Sequence, residues 1–180
     1  TVSCFKPQKN LFDLLQTFKH IHQTLAGSGR PTPLLHIIGD GAQRPAIEAW
    51  IARAQLQQSI MLLGWQTNVA VWMHQWHVFS LSSLWEGLPM AVIEARLCKL
   101  PVVAYAVGGI PEVIINGKNG FLAIPGDWHQ LAKQVLNLIQ NQNLYTKLSQ
   151  HRDDLRDFDN ATMAHHHHNL YHHLFRSSAN

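Results

Sequence analysis

The chain is short of three things, and each shortage closes off a class of function. It contains no apolar run approaching the roughly 20 residues that a membrane-spanning helix needs, and no secretory leader is expected. Cysteine is scarce: Cys4 and Cys98 are the two in 180 residues, far apart and outside any C-x-x-C spacing. Both sit in apolar contexts, so buried free thiols in a reducing compartment are expected. Charge is sparse too, at 14% of residues, and nearly balanced at a formal net +3 with the thirteen histidines counted neutral. Lysine and arginine are scattered rather than striped, which excludes the electrostatic footprint of a nucleic-acid binder. Three surplus positive charges permit contact with acidic lipid headgroups without requiring it.

What is present is an alternation of apolar strand-like runs with helical periodicities, in a length sufficient for one domain with a sizeable core. Thr1 opens directly on the strand pattern Val2-Ser3-Cys4-Phe5, with no starting methionine, as expected of a piece of a longer protein. A helix is predicted from about Asn10, a plausible cap, to Leu25, with Leu11, Leu14, Leu15, Phe18 and Leu25 near a 3.6 period and His22 on the same face. Strands are predicted at Leu34 to Ile38, Ile60 to Gly64, Val78 to Leu81, Pro101 to Tyr105 and Gly120 to Ala123. Helices fall between them at Pro45 to Ala54, Asn68 to Met73 and from Met90 onward. Asp127 is expected to cap a helix carrying Leu131, Val135, Leu138 and Ile139 on one face, and two more are expected at Asn143 to Arg152 and from Asn160 or Thr162. Such alternation predicts a doubly wound, Rossmann-like parallel sheet, in which ligands bind outside the carboxyl ends of the strands.

The most informative stretch is Ser83-Leu84-Trp85-Glu86-Gly87-Leu88-Pro89-Met90-Ala91-Val92-Ile93-Glu94-Ala95. It joins a buried strand to the start of a helix. Pro89 suits the first helical position, where no amide is needed. The amides of Met90 and Ala91 are then expected to point out of the helix start, where they and the helix dipole would attract an anion. Glu86 and Glu94 flank that point. Two readings remain open on spacing alone: a plain strand-loop-helix corner with a solvated Glu86 and an exposed Glu94, or a site for a sugar joined to a diphosphate.

The wording of this segment resembles the Glu-x7-Glu signature of retaining nucleotide-sugar glycosyltransferases, the family four type with the GT-B fold. That family commonly reads S-x-x-E-G-L-P-x-x-x-x-E-A, and the chain matches at Ser83, Glu86, Gly87, Leu88, Pro89, Glu94 and Ala95. The resemblance covers nearly the whole chain and corresponds to the C-terminal, donor-binding half of a two-domain enzyme. It implies a Rossmann-like domain over residues 1–160, and a final helix over 161–180 that packs back toward an N-terminal half holding the acceptor. It further implies a hexosyltransferase that is inactive as an isolated fragment. The implied partners are a nucleotide-diphosphate-sugar donor and a saccharide or lipid-linked saccharide acceptor, with no nucleic acid and no metal or other cofactor. The implied location is the cytoplasm, compatible with peripheral contact at the inner face of a membrane.

By the same resemblance, Glu86 holds hydroxyls of the transferred sugar, helped by the backbone of Gly87 and Leu88. Lys9 and the amides of Met90 and Ala91 bind the diphosphate, and Glu94 accepts hydrogen bonds from ribose hydroxyls. One departure stands out. The family's arginine in the first strand falls on Cys4 here, and Lys6 is offered as its replacement, although a lysine's point charge does not match arginine's fork. Gln66, after Gly64-Trp65, lies where backbone groups of the family hold the base.

Other motifs carry less. Gly39-Asp40-Gly41 has no third glycine and reads as a turn steadied by Asp40. Gly108-Gly109-Ile110-Pro111-Glu112 matches the family's G-G-x-x-E, with a structural role first and donor contact second. The run His165 to His168 with His172 and His173 could chelate a metal through His168 and His172 on one helix face, but an exposed polar face accounts for it as well. Two alternatives to transfer remain. One is a glycosidase using Glu86 and Glu94, and the other a non-catalytic nucleotide-sugar binding module.

Overall fold

The computed structural model describes residues 1–153, 155, 158, 161, 162, 164, 165 and 167–169. Up to Ser149 five strands alternate with six α-helices, and a seventh follows the sixth directly: α1 (Leu11–Gly27), β1 (Leu35–Ile38), α2 (Arg44–Arg53), β2 (Ile60–Gly64), α3 (Val69–Met73), β3 (Phe79–Leu81), α4 (Met90–Leu97), β4 (Val102–Tyr105), α5 (Ile110–Val113), β5 (Gly120–Ala123), α6 (Trp128–Gln140) and α7 (Gln142–Ser149). Their order follows the predicted one, with ends moved by a few residues, except that the short α5 was not predicted and no full strand forms at Val2–Phe5. Every strand pair is parallel, in two ladders: β1 with β2, and β3 with β4 with β5.

The first strand is shorter than expected. Val2 makes a single parallel bridge to Ile38, supported by Ile38 N to Thr1 O, Ser3 N to Ile38 O and Phe5 N to Asp40 O. Thr1–Phe5 therefore runs along the edge of β1 that β2 leaves open. Val2 also packs on the apolar cluster that holds Phe79, Leu81, Val102 and Ala104, so the segment borders both ladders. From there the chain builds outward through β1 and β2, then returns to build the other way through β3, β4 and β5. The order thus reverses between Thr1–Phe5 and β3, and at such a reversal the loops following the two strands diverge to leave a crevice.

Helices cover both faces of this framework. Along β4 the side chains alternate: Val102 and Ala104 enter the cluster with Val92, Ile93 and Ala95 of α4, whereas Val103 and Tyr105 pack with Leu131 and Leu138 of α6. A strand buried on both faces reads as a continuous apolar run, as Val102 to Tyr105 does. Leu11, Leu14, Leu15 and Phe18 of α1 pack with Ile37, Ile47, Ile51 and Ile60. Asp127 and Asn141 cap α6 and α7, their side chains accepting from Gln130 N and Leu144 N.

Some expectations are corrected. Asn10 precedes α1 in the left-handed region, at φ 43°, but makes no cap bond; its side-chain amide donates to Asp13 at 2.6 Å instead. Ile139, expected in the core stripe of α6, is 40% exposed. The two thiols are free but only half-buried. The described residues between 161 and 169 are helical where the final helix was predicted, whereas 170–180, including His172 and His173 of the metal reading, lie outside the described residues. Among the described residues no group of three or more His, Cys, Asp or Glu could hold a metal, and no helix is long and apolar enough to cross a membrane.

Candidate functional site at the strand-order reversal

The loop after the first segment and the loop after β3 meet in the crevice. Pro7–Lys9 forms one turn of 3-10 helix and sets Lys9 facing the second loop. There Lys9 Nζ lies 2.6 Å from Glu86 Oε1, across 77 residues of sequence. The pair is sheltered, with the Glu86 side chain 9% exposed and that of Lys9 20% exposed. Backbone contacts hold the two loops in place. Leu84 N donates to Gln8 O, Gln8 Nε2 donates to Trp85 O, and the buried Ser82 hydroxyl is shared between the carbonyls of Lys9 and Asn10 at 3.1 and 2.9 Å.

A third loop, after β4, closes against the second. Gly108 has φ 51°, a left-handed conformation that favours glycine. A Cβ at this position would overlap the Glu86 carbonyl oxygen. Next to it, Gly109 N donates to Gly87 O at 3.2 Å. The paired glycines are therefore the means by which the β4 loop lies against the backbone of Glu86 and Gly87, as their structural reading anticipated.

The start of α4 differs from expectation in one respect. Pro89 is the residue before the helix, with ψ 71°, rather than its first member, and it accepts from Val92 N and Ile93 N. The chain tightens there, so that Met90 N donates to Leu88 O at 3.0 Å and is not free. The free amides lie elsewhere. Those of Glu86, Gly87, Leu88 and Ala91 have no hydrogen-bond acceptor among the described residues. Unpaired amides at a helix start form an anion-attracting concavity; here they border the Lys9–Glu86 pair. The Ser83 hydroxyl is fully buried beneath the loop and also lacks a partner among the described residues.

Glu94 stands one turn into α4, exposed on the same face as Met90, which is 52% exposed. On its C-terminal side lies Cys98, whose thiol is pushed up in pKa by burial and then by the charge of Glu94. Lys6 lies exposed in the Lys9 loop. Gln66 is drawn into its own loop, donating to Leu63 O at 2.8 Å and accepting from Trp72 Nε1 at 3.2 Å. Its side chain is thus committed to local structure, and no contact joins it to Lys9 or Glu86. Asp40, as expected, serves its turn: it accepts from Gly41 N and pairs with Arg44.

Arg96 went unnoticed in the sequence. It lies on α4 two residues beyond Glu94, has a fully buried side chain, and pairs with Asp153 at 2.8 Å. It also donates to the carbonyls of Leu100, Leu148 and His151, tying α4 to the segment after α7. A second fixing point is Tyr105, at the end of β4, whose hydroxyl donates to Asp13 of α1 at 2.7 Å. Burial, then that hydrogen bond, raises the phenol pKa well above its usual value. A cavity of about 700 Å³ lined by Leu34, Leu35, His77 and Val78 opens at the amino ends of β1 and β3, the opposite edge from the crevice.

With this geometry in place, comparison with known proteins gives consistent results. The chain is 28% identical over 149 residues to N-acetyl-alpha-D-glucosaminyl L-malate synthase of Bacillus anthracis, an alignment covering 83% of this chain and 38% of that relative. Sucrose-phosphate synthase of Thermosynechococcus elongatus superimposes with a TM-score of 0.81 at 24% identity, covering 98% of this chain and 45% of the other. Anabaena HepE, solved in complex with UDP-glucose, gives 0.72 at 25% identity, covering 82% of this chain and 41% of the other. The chain spans about two fifths of the length of the curated relatives it matches. The family model for glycosyl transferases group 1 matches residues 1–153, and the chain belongs to that family.

Proposed function

We propose that this domain binds the nucleotide-diphosphate-sugar donor of a retaining hexosyltransferase, with the acceptor held by an N-terminal half outside these residues. One observation carries the reading: Lys9 meets Glu86 where the strand order reverses, and the amides of Glu86, Gly87, Leu88 and Ala91 in the same loop and helix start have no acceptor among the described residues. An ammonium and several unpaired amides suit a diphosphate. A carboxylate beside them suits sugar hydroxyls, and Glu94 on the outer face of α4 suits ribose hydroxyls. As the bond to the diphosphate breaks, charge grows on the leaving oxygens, and preorganised donors aimed there lower the barrier. HepE, a relative in fold solved with UDP-glucose, supports a donor of this class.

Isothermal titration of the full-length protein with UDP-, GDP- and ADP-sugars tests the reading. Binding should appear with one base and weaken in Glu94→Ala, whereas Glu86→Ala should chiefly lower turnover. Silence toward all three donors from a folded protein would refute the donor site, and hydrolysis of aryl glycosides would point to a glycosidase. A second reading has one observation in its favour. Cys4 replaces the family's arginine, and the nearby Lys6 is an exposed loop side chain that forms no ion pair among the described residues. A non-catalytic nucleotide-sugar binding module would bind the donor without transfer in the full-length protein.

A further inference from the structure

We propose that Glu86 and the donor's diphosphate compete for the same ammonium, Lys9, so that diphosphate binding is what releases Glu86 to accept sugar hydroxyls. This rests on the donor-site reading above and concerns how the two ends of that site communicate.

Without a ligand, Lys9 Nζ is held at 2.6 Å by Glu86 Oε1, and no other ion pair reaches either residue among the described residues. The backbones on both sides are fixed. Lys9 O accepts from Ser82, Lys9 N is used within its 3-10 turn, and Glu86 is backed by the close approach of Gly108. Exchange therefore falls to the two side chains. A diphosphate carries more charge than one carboxylate and is also met by the amides of Gly87, Leu88 and Ala91, so it can draw the ammonium away. Glu86, its side chain only 9% exposed, then loses its counter-charge in a nearly dry position, which is costly unless new donors arrive. Sugar hydroxyls are such donors. An intact donor satisfies both Lys9 and Glu86, whereas a nucleoside diphosphate satisfies Lys9 and strands the carboxylate. The pair thus discriminates a complete donor from a spent one, beyond the sugar contacts themselves.

The test is a double-mutant cycle in the full-length protein, reading the affinity for inorganic pyrophosphate and for UDP by calorimetry. Glu86→Gln keeps the shape and removes the competing charge, so both ligands should bind roughly tenfold tighter, the equivalent of a partly sheltered ion pair. In a Lys9→Gln background the same change should alter affinity by less than about twofold. Binding by the unmutated protein with no gain in Glu86→Gln overturns this proposal alone. So does a gain of equal size in the Lys9→Gln background, which would mean simple charge repulsion. If no variant and not the unmutated protein binds either ligand, the donor-site reading fails and this falls with it. A readout that needs no variant is the NMR signal of the Glu86 side-chain carboxyl carbon. Saturating pyrophosphate should shift it as the ammonium departs, and an unmoved signal overturns the exchange.

Discussion

Replacing Arg96 with methionine should cost far more than any surface charge on this domain. The guanidinium has no exposed surface, and Asp153 is 8% exposed. Two of its nitrogens meet Asp153 Oδ2, at 2.9 and 2.8 Å, and it also donates to the carbonyls of Leu100, Leu148 and His151. Methionine fills the stem's volume but leaves a nearly buried carboxylate with Asn119 as its remaining partner. Stranding one member of a buried ion pair costs about 3–5 kcal/mol, a large part of the 5–15 kcal/mol that holds a typical domain folded. Arg44 is the control. Its side chain is 31% exposed and pairs with Asp40 and Glu48 along a helix surface, so Arg44→Met should cost about 0–1 kcal/mol. Urea unfolding at pH 7 measures both, read as midpoint shifts at constant slope. A third variant, Arg96→Met with Asp153→Leu, should recover part of the loss because no lone charge remains. The reasoning is refuted if Arg96→Met and Arg44→Met fall within about 1 kcal/mol of each other. No recovery in the double variant would instead assign the loss to the three carbonyls rather than to the ion pair.

Two further substitutions probe the loops around the crevice. Gly108→Ala must place a Cβ on the Glu86 carbonyl at φ 51°, and the left-handed backbone with the overlap should cost at least about 2 kcal/mol; a melting temperature within 1–2 °C of the unmutated protein would show that the β4 loop yields. Tyr105→Phe removes a hydrogen bond to a carboxylate, worth about 1.5–3 kcal/mol at neutral pH. The buried phenol keeps its proton above the usual value near 10, whereas the unfolded chain releases its own there. The stability that Tyr105 adds is therefore full below pH 10 and declines as pH rises above it. Chemical unfolding at pH 7 to 11 should show the gap between the two proteins narrowing above pH 10, and a gap that widens contradicts the sign.

The segment that names the family was also where the sequence was least able to supply geometry. After the strand read at Val78 to Leu81, Ser83 to Ala95 predicted a turn and a helix start, and all three are present, because period, proline and glycine are local signals. One dihedral angle decides whether Met90 N is free. With ψ near 71° at Pro89, Met90 N turns back to Leu88 O and leaves the donor set, so that Ala91 is joined instead by the loop amides of Glu86, Gly87 and Leu88. A proline in the sequence does not reveal whether it stands just inside or just outside a helix. The Lys9–Glu86 contact was illegible for a different reason. It joins residues 77 apart, and each taken alone reads as a loop charge beside a strand. Arg96 was legible and overlooked: four residues beyond Val92, it falls on the stripe of α4 that Val92 and Ile93 mark as buried, while Met90, Glu94 and Leu97 face outward. An arginine on the apolar stripe of a short helix, with a carboxylate expected from elsewhere in the fold, signals a buried pair. Its partner Asp153 falls in the gap between the last two predicted helices, where no periodicity runs and sequence pattern offered no reason to look.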